Sequence, residues 1–258
     1  MVERAGIDIS KHQGKNIDWA KLKASDKEFV IIKTGYSWYQ GGMNIDSQFL
    51  DNAAGATKHG IPWGAYIWAY DKTPAAACIS ANCLADLLDA YKLDYPVYYD
   101  FEDEQYLKFD RTASANIIKA FLDTLQDRGY YAGLYTYTNF AKGYIDMARL
   151  TAYDLWIADY TGKVGWTGPY GMWQHSAKGR LEAIGGGKVD VDLNIAYKDY
   201  PAIIRGAGLN GYGERPSGAE DCAALRREVE ALEREKAALE TEKAALAAKI
   251  LAAKAALE

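Results

Sequence analysis

The feature that most constrains this chain is the alternation of short β-branched or aromatic runs with helix-like stretches between residues 6 and 194. Eight runs have the composition of buried strands; they occupy residues 6–10, 29–34, 64–70, 96–102, 131–138, 154–160, 171–176 and 189–194. Helix-like stretches separate several of them, at 46–59, 74–91 and 112–128. Strands separated by helices predict a parallel sheet with crossover helices, and eight strands favour closure into a barrel.

The later strands follow one another too closely for full helices to fit between them. We therefore expect an α/β fold, an irregular TIM-like (β/α) barrel in which some of the late strands run antiparallel. In such barrels the chemistry lies at the C-terminal ends of the strands. Polar residues at those ends are therefore the first candidates for a functional site.

Composition divides the chain into two unlike parts. All 20 Tyr, 7 Trp and 6 Phe precede Pro216, whereas 35 of the 40 residues in 219–258 are Ala, Glu, Lys, Leu or Arg. Residues 206–218 contain five Gly and one Pro, a composition that resists regular structure. The sequence predicts a barrel over 1–205, a Gly-rich linker over 206–218 and a helix over 219–258.

The C-terminal segment has a heptad pattern typical of a coiled coil. Four leucines recur every seven residues; they are Leu225, Leu232, Leu239 and Leu246. Several Glu residues occupy the flanking positions, where like charges repel in a self-pair, and Lys236 and Lys243 partly offset them. We expect weak self-association or a partner helix with basic flanks; the alternative is a solvated single helix or an engineered extension.

Charge and composition exclude several classes of partner. Thirty Lys and Arg against 35 Asp and Glu give a net charge of −5, which offers no footprint for nucleic acid. The most apolar window, 60–70, is far shorter than the roughly 20 residues of a membrane span, and residues 1–10 hold no run of signal-peptide length. We expect cytoplasmic synthesis without a signal peptide and no membrane insertion. The Cys and His spacings predict no disulfide framework, no metal and no cofactor.

The most informative motif is an apolar run that ends in carboxylates at Asp100 and Glu102. If this run is a strand, its period of two places both carboxylates on one face and Tyr99 and Phe101 on the other. Two close, buried carboxylates cannot both ionise freely, so one keeps its proton near neutral pH, as a general acid for glycoside cleavage must. The alternative is a solvated acidic loop after the strand.

Further carboxylates lie in the first and last predicted strands. Asp8 belongs to the first, and Asp190 and Asp192 share a face of the last. The first and last strands of a closed barrel are neighbours, so Asp8 and Asp192 are expected at the rim that holds Asp100 and Glu102. An Asp in a strand is otherwise an end cap or a hydrogen-bonding anchor.

These residues resemble glycoside hydrolase family 25, the muramidases that include many phage endolysins and autolysins. The resemblance covers about residues 6–197. Its blocks are GIDIS at 6–10 followed by QG at 13–14 and IDW at 17–19, FVIIK at 29–33, GIP at 60–62 with GAY at 64–66, DFE at 100–102, GLY at 133–135, LWIADY at 155–160, WQ at 173–174 and VDLN at 191–194. The resemblance implies an irregular α/β barrel that cleaves the β-1,4 bond between N-acetylmuramic acid and N-acetylglucosamine in peptidoglycan.

The resemblance also implies roles for the carboxylates. Glu102 matches the general acid, and Asp100 matches the partner that assists the acetamido group of the substrate. Asp8 and Asp192 match two supporting carboxylates, and the VDLN block favours Asp192 over Asp190. The implied mechanism is substrate-assisted; direct attack by water, with Asp8 or Asp192 as base, is the alternative.

Aromatic residues near the predicted strand ends are candidates for stacking on sugars, although core packing is the competing explanation for each ring. The substrate-binding candidates are Tyr66, Trp68, Tyr135, Tyr137, Asp159 and Trp173, with Tyr160 as a further ring. Tyr66 and Trp173 are the strongest of these because both lie in blocks that match the family. His175 is a weaker candidate base.

Two departures from the family pattern affect contacts with the sugars. Thr34-Gly35-Tyr36 replaces the frequent Thr-Glu-Gly, and His12 replaces a frequent aromatic before Gln-Gly. Neither removes a carboxylate. The sequence therefore predicts a phage-type endolysin that acts on the glycan strand of the cell wall after release. There are two competing hypotheses. One is a chitinase-like glycosidase, for which further Asp residues are expected at two-residue steps before Asp100; the other is an inactive wall-binding scaffold.

Overall fold

The computed structural model describes residues 2–213, which form a closed barrel. Its strands are β1 (Arg4–Ile9), β2 (Phe29–Ser37), β3 (Met43–Ile45), β4 (Trp63–Trp68), β5 (Val97–Asp100), β6 (Ala132–Tyr137), β7 (Asp154–Ala158), β8 (Met172–Gly179) and β9 (Val191–Ala196). The ring runs β1-β9-β8-β7-β6-β5-β4-β2 and closes because β2 also pairs with β1. The predicted eight-stranded barrel is confirmed.

Within the closed ring, only the last strand reverses direction. Successive pairs from β1 to β8 around the ring are parallel, whereas β9 is antiparallel to both β8 and β1. The connection from β8 to β9 holds only a short 3₁₀ turn, Gly185–Gly187. A chain this short cannot return for a parallel crossover, so β9 enters at the rim where the other strands end.

Helices cover the outside of the barrel. Within residues 2–213 they are α1 (Trp19–Lys23), α2 (Phe49–Lys58), α3 (Pro74–Leu88), α4 (Arg111–Asp127), α5 (Thr138–Tyr144) and α6 (Tyr200–Gly206). Thr73 caps α3 by accepting a hydrogen bond from the amide of Ala76, and Asp110 caps α4 through Ala113; such caps contribute about 1 kcal/mol each. No helix in this part of the chain has the length and apolarity to cross a bilayer.

Side chains of successive strand residues enter two separate cores. Val97 and Tyr99 of β5 point outward and pack under the helices, whereas Tyr98 points inward with Trp156 and Tyr200. This is the period of two of a strand. The inner core fills the lower barrel, so the inward positions nearest the strand ends line the upper rim.

The sequence did not predict β3. This short strand pairs antiparallel with the end of β2 and forms a hairpin above the barrel rim. The hairpin depends on Gly35, because a β-carbon there would collide with the carbonyl oxygen of Asn44. The departure from Thr-Glu-Gly at this position therefore has a structural reason: only glycine lets β3 approach β2 so closely.

The predicted linker needs a correction at its start. Residues 207–213 pack against the barrel, and Asn210 is fully buried. Its side chain accepts a hydrogen bond from the amide of Tyr131 at 2.7 Å and donates to the carbonyl oxygens of Leu93 and Tyr95. The Gly-rich composition predicted a hinge, but these glycines allow tight turns that return the chain to the barrel. The predicted helix over 219–258 lies outside the described residues.

Candidate active site

The structure brings the four predicted carboxylates to one pocket. Asp8, Asp100, Glu102 and Asp192 line a cavity of about 160 Å³ at the rim where the strands end. Asp8 lies near the end of β1 and is the register partner of Asp192 near the start of the antiparallel β9. The reversed direction of β9 is therefore what brings Asp192 to this rim.

Asp100 and Glu102 point inward because the residues that alternate with them are held outside. The ring of Tyr99 stacks on Phe121 of α4 at 3.8 Å between centroids, and Phe101 stacks on Tyr106 at 3.7 Å. The alternation predicted from the sequence is confirmed. The competing solvated loop is wrong for Asp100, which is only 2% exposed.

A network of amides orients Asp8. Gln174 and Asn194 each donate a hydrogen bond to its Oδ2 at 2.8 Å. The amide orientations are fixed in turn, because Tyr135 donates to Oε1 of Gln174 and Trp156 donates to Oδ1 of Asn194. Asp8 is thus held in one position by donors from two neighbouring strands, as a preorganised site requires.

The pair Asp100 and Glu102 retains a proton near neutral pH. Burial raises the pKa of Glu102 to about 7, with Lys33 opposing and Asp192 adding to the increase. Burial likewise raises the pKa of Asp100 well above its usual range, and the charge of Glu102 adds to this. The two titrate as a pair. Glu102 is the more exposed of the two, so it is the one placed to give its proton to a substrate.

Asp8 and Asp192 form a second coupled pair. Burial is the main reason that the pKa of Asp8 is raised, followed by the negative charge of Asp192. Burial also raises the pKa of Asp192, while its hydrogen bond with Asp8 opposes the increase. The amides on Asp8 stabilise its ionised form, so Asp192 is the more suitable of the two to exchange a proton with solvent.

Lys33 supplies a positive charge beside the acidic pocket. Its ammonium lies 4.8 Å from the ring centroid of Trp68 and 5.5 Å from that of Tyr66, within cation–π range. It lowers the pKa of both Asp100 and Glu102. Lys33 is therefore an electrostatic component of the site that the sequence analysis did not include among its candidates.

Two grooves extend from the acidic pocket. We call the first the cationic groove: it encloses about 670 Å³ beside the β2–β3 hairpin, and Lys11, His12, Lys33 and Trp68 are among its lining residues. The second, the tyrosine groove, encloses about 520 Å³; Glu102, Tyr135, Tyr137 and Tyr160 are among its lining residues. Trp68 joins the first groove to the acidic pocket, and Glu102 joins the second.

The predicted substrate-binding residues divide into two groups. Tyr66, Trp68 and Tyr135 line the acidic pocket, and Tyr137 lines the tyrosine groove. Asp159 also borders that groove, but Thr138, Thr161 and Gly165 donate hydrogen bonds to its carboxylate. These bonds hold the pKa of Asp159 at about 2, against the opposing effect of burial. Its contribution is therefore to shape the loop at the rim.

Trp173 lies outside the site, which overturns one of the two strongest aromatic predictions. Its ring packs with the helix-side core, and its indole donates a hydrogen bond to the carbonyl oxygen of Asp159 at 2.8 Å. His175 lies on the same side, with its ring 5.4 Å from that of Trp173. The inward residue of this block is Gln174, because side chains alternate along β8.

Asp190 is not part of the acidic pocket either. Its carboxylate pairs with Arg180 at 2.8 Å, and its side chain is 54% exposed. Among residues 2–213, no cluster of three or more His, Cys, Asp or Glu side chains has the arrangement of a metal site.

The sequence analysis missed Gln174 and Asn194 as site residues. Both lie in blocks that it had identified, and Asn194 follows Asp192 by two residues, on the same face of the strand. The period of two was the signal that pointed to both. Lys33 has the same signal, since it follows the inward Ile31 by two residues.

Comparisons with known proteins identify a family and several similar chains. The family model described as "Glycosyl hydrolases family 25" matches residues 7–184. The chain is 30% identical over 190 residues to the autolytic lysozyme of Clostridium acetobutylicum, covering 72% of this chain and 54% of that protein. Among solved structures, the modular autolysin LytC of Streptococcus pneumoniae is 27% identical with a TM-score of 0.67, over 76% of this chain and 47% of that one.

A third relative is similar over almost its whole length. The catalytic domain of endolysin ply40 from bacteriophage P40 of Listeria monocytogenes is 26% identical with a TM-score of 0.63, over 80% of this chain and 98% of that one. By contrast, the chain spans only about half the length of the autolytic lysozyme and of LytC. The similarity therefore concerns the barrel.

Proposed function

Because this chain belongs to glycosyl hydrolase family 25, whose model spans residues 7–184, we propose that it is a muramidase. Its reaction is hydrolysis of the β-1,4 bond between N-acetylmuramic acid and N-acetylglucosamine in bacterial peptidoglycan. One relative is named an autolytic lysozyme, and LytC has been solved with a synthetic peptidoglycan ligand. These names support the proposed substrate.

The observation that carries this proposal is the acidic pocket between two grooves. Four carboxylates surround it, and burial raises the pKa of Glu102 to about 7. A carboxylic acid that keeps its proton at neutral pH can protonate a glycosidic oxygen, while an ionised neighbour stabilises the positive charge that develops on the sugar. Aromatic rings of the acidic pocket and the tyrosine groove provide surfaces on which sugar rings stack.

The geometry supports a substrate-assisted mechanism. Glu102 gives its proton to the glycosidic oxygen while the acetamido oxygen attacks the anomeric carbon, which breaks the bond to the leaving sugar. Asp100 is the group that holds the acetamido N–H, because its Oδ1 is buried and accepts no hydrogen bond from the described protein atoms. Glu102, now a carboxylate, takes a proton from the water that opens the cyclic intermediate.

Direct attack by water is the second mechanism and needs a different base. Asp192 is the better candidate, because Oδ2 of Asp8 already accepts two amide hydrogen bonds. Under this mechanism Asp192→Asn removes the base and abolishes turnover. Under the substrate-assisted mechanism the same change leaves the nucleophile in place, and Asp100→Asn is the more damaging of the two.

We also propose that this chain acts as an endolysin, reaching the glycan strands of the wall after release from the cell. The likeness to the endolysin of bacteriophage P40 supports this origin. Residues 219–258 are proposed to form a helix that pairs with a second copy or with a partner helix having basic flanks. The heptad of leucines supports that association.

The test of the proposed function combines a variant with product analysis. Glu102→Gln removes the proton donor while preserving the shape of the side chain, so we expect wall-clearing activity to fall by at least about a hundredfold with an unchanged unfolding transition. Glu104→Gln is the matched control, because Glu104 is an exposed acid two residues along the same segment.

Mass spectrometry of digested sacculi identifies the bond that is cut. A muramidase leaves muramic acid at the new reducing ends. Reducing-end glucosamine would instead show a glucosaminidase, and activity on chitin with none on sacculi would favour a chitinase-like enzyme. Wild-type rates for Glu102→Gln would contradict the assignment of the general acid, and binding to sacculi without any cleavage would indicate a scaffold.

A further inference from the structure

The cationic groove differs in charge from the rest of the cleft. Lys11, His12 and Lys33 line it, and Asp46 is its one acidic lining residue among those described. Asp46 is buried, and its carboxylate accepts hydrogen bonds from the backbone amides of Lys11 and Gln48. Its negative charge is therefore engaged inside the protein, and the groove presents positive charge to whatever enters it.

In the tyrosine groove, acidic lining residues outnumber basic ones. Glu102 and Asp159 line it together with a single Lys142. The chain as a whole carries a net charge of −5, and the acidic pocket adds further negative charge between the grooves. A basic groove beside such a pocket is therefore not a consequence of overall composition. An anionic group on a bound sugar is favoured on one side of the cleft only.

The groove is built from ordered elements. Lys11 and His12 belong to a 3₁₀ turn, Lys11–Gln13, that begins three residues after Asp8. Ser10 caps this turn by accepting from the amide of His12 at 3.2 Å, while Gln13 accepts from the amide of Ser10 at 2.8 Å. Lys11 and His12 are thus carried by a turn that is fixed to the strand holding a candidate catalytic carboxylate.

The opposite wall is the β2–β3 hairpin. Tyr36 and Trp38 lie on it with their rings in an edge arrangement at 5.5 Å, and Trp38 is 45% exposed. The volume of about 670 Å³ lies in the range of sites for ligands larger than one sugar. Aromatic walls with cationic side chains suit an extended, carboxylate-bearing ligand.

We propose that the cationic groove binds the peptide stem of the muramic acid whose sugar ring occupies the acidic pocket. This inference rests on the proposed function. Of the two alternating sugars, only muramic acid carries a substituent with carboxylates, which leaves the ring at C3. Trp68 lines both cavities, so the stem passes from pocket to groove beside the ammonium of Lys33.

The test compares two substrates with the same sugars. Muropeptide chains carrying intact stems are one; the other is the same glycan after an amidase has removed the stems. The double variant Lys11→Gln, His12→Gln removes an exposed ammonium and an exposed imidazole from the groove. We expect its KM for the stem-bearing chains to rise roughly tenfold, with kcat unchanged, since removing each charge-assisted hydrogen bond weakens binding a few-fold. Hydrolysis of the stem-free glycan is expected to stay at the wild-type rate.

The matched control is Lys15→Gln, an exposed lysine four residues from Lys11 that does not line the groove. Its KM is expected to equal that of the wild type on both substrates. Amidation of the stem carboxylates should abolish the difference between the double variant and the wild type, because the interaction depends on their charge.

Two results would overturn the proposal. One is an equal rise in KM on both substrates, which would make this groove a binding site for the glycan itself. The other is no change on either substrate. Binding of stem-bearing fragments to Glu102→Gln protein, with and without the double variant, separates this question from turnover: if no enzyme form cleaves the wall, the proposed function fails, while the binding difference still reports on the groove.

Discussion

The charged neighbours of Glu102 act on its pKa in opposite directions. Burial sets the increase to about 7, the ammonium of Lys33 lowers the pKa, and the carboxylate of Asp192 raises it. The general acid works only while protonated, so kcat/KM falls as the pH rises through this pKa. Burial and the charges around a single side chain thus together determine the upper pH limit of the enzyme.

A pair of substitutions tests this balance. Lys33→Met removes the positive charge, so the alkaline limb of the kcat/KM profile should move to higher pH by about 0.5 to 1 unit. Asp192→Asn removes a negative charge and should move the limb to lower pH by a similar amount. Rate assays across pH measure both, and the rates at the optimum are free to fall. Shifts of the same sign in the two variants would contradict the electrostatic explanation.

At the scale of elements, a buried aspartate outside the cleft holds β5 and its following loop in place. Asp71 is fully buried after β4 and accepts hydrogen bonds from Ser80 of α3 and Tyr99 of β5, both at 2.6 Å. Tyr106, whose ring stacks on Phe101, donates to the carbonyl oxygen of Asp71 at 2.8 Å. These hydrogen bonds fix the two outward rings that direct Asp100 and Glu102 into the pocket.

Asp71 gives a prediction about stability against pH. Burial raises its pKa from 3.8 to about 6. The folded state therefore binds this proton more tightly than the unfolded state does. The proton therefore stabilises the fold fully below pH 4. As the pH rises through 6 this stabilisation is lost, and the free energy of unfolding falls by about 3 kcal/mol. We expect the free energy of unfolding of Asp71→Asn, relative to the wild type, to improve between pH 4 and pH 7.

Urea unfolding at the two pH values measures this change. Asp127→Asn is the control, because Asp127 is an exposed aspartate near the end of α4. Its difference from the wild type should be the same at both values. A constant difference for Asp71→Asn as well would show that Asp71 titrates normally and does not hold a proton in the fold.

At the scale of the whole molecule, the barrel extends beyond residue 205. Asn210 closes the end of the barrel away from the acidic pocket through its three side-chain hydrogen bonds. Leu209 and Tyr212 pack against the inner core there. The chain boundary that matters for stability therefore lies after these residues, and not at the first glycine of the predicted linker.

Two shortened chains test this boundary. A chain ending at residue 213 should keep the melting temperature of the barrel. A chain ending at 205 should melt roughly 10 °C lower, because it loses about 3 kcal/mol of buried hydrogen bonds. Calorimetry measures both, and equal melting temperatures would contradict the assignment of 206–213 to the barrel. Sedimentation of the full chain beside the 213-residue chain reports whether residues 214–258 cause association.

The amino-acid sequence alone predicted the eight strands of the ring and the four carboxylates, because side chains of a buried strand alternate between its two faces. It also indicated that late strands would reverse, since the connection before residue 191 is short. It did not show which residue of a predicted block points into the barrel. Trp173 and Gln174 are adjacent in one block, and both residue types suit a binding site.

Three features could be seen only in the tertiary structure: the β2–β3 hairpin, the residues that end the barrel, and the partners of each carboxylate. Glycine is needed at position 35 because the carbonyl group of Asn44, nine residues away in the chain, lies against it. Asn210 is buried because backbone groups of residues 93, 95 and 131 form hydrogen bonds with its side chain. The charge state of Glu102 depends on Lys33 and Asp192, which are 69 and 90 residues distant in sequence. Such effects depend on distances in space, and these exist only once the ring of strands has closed.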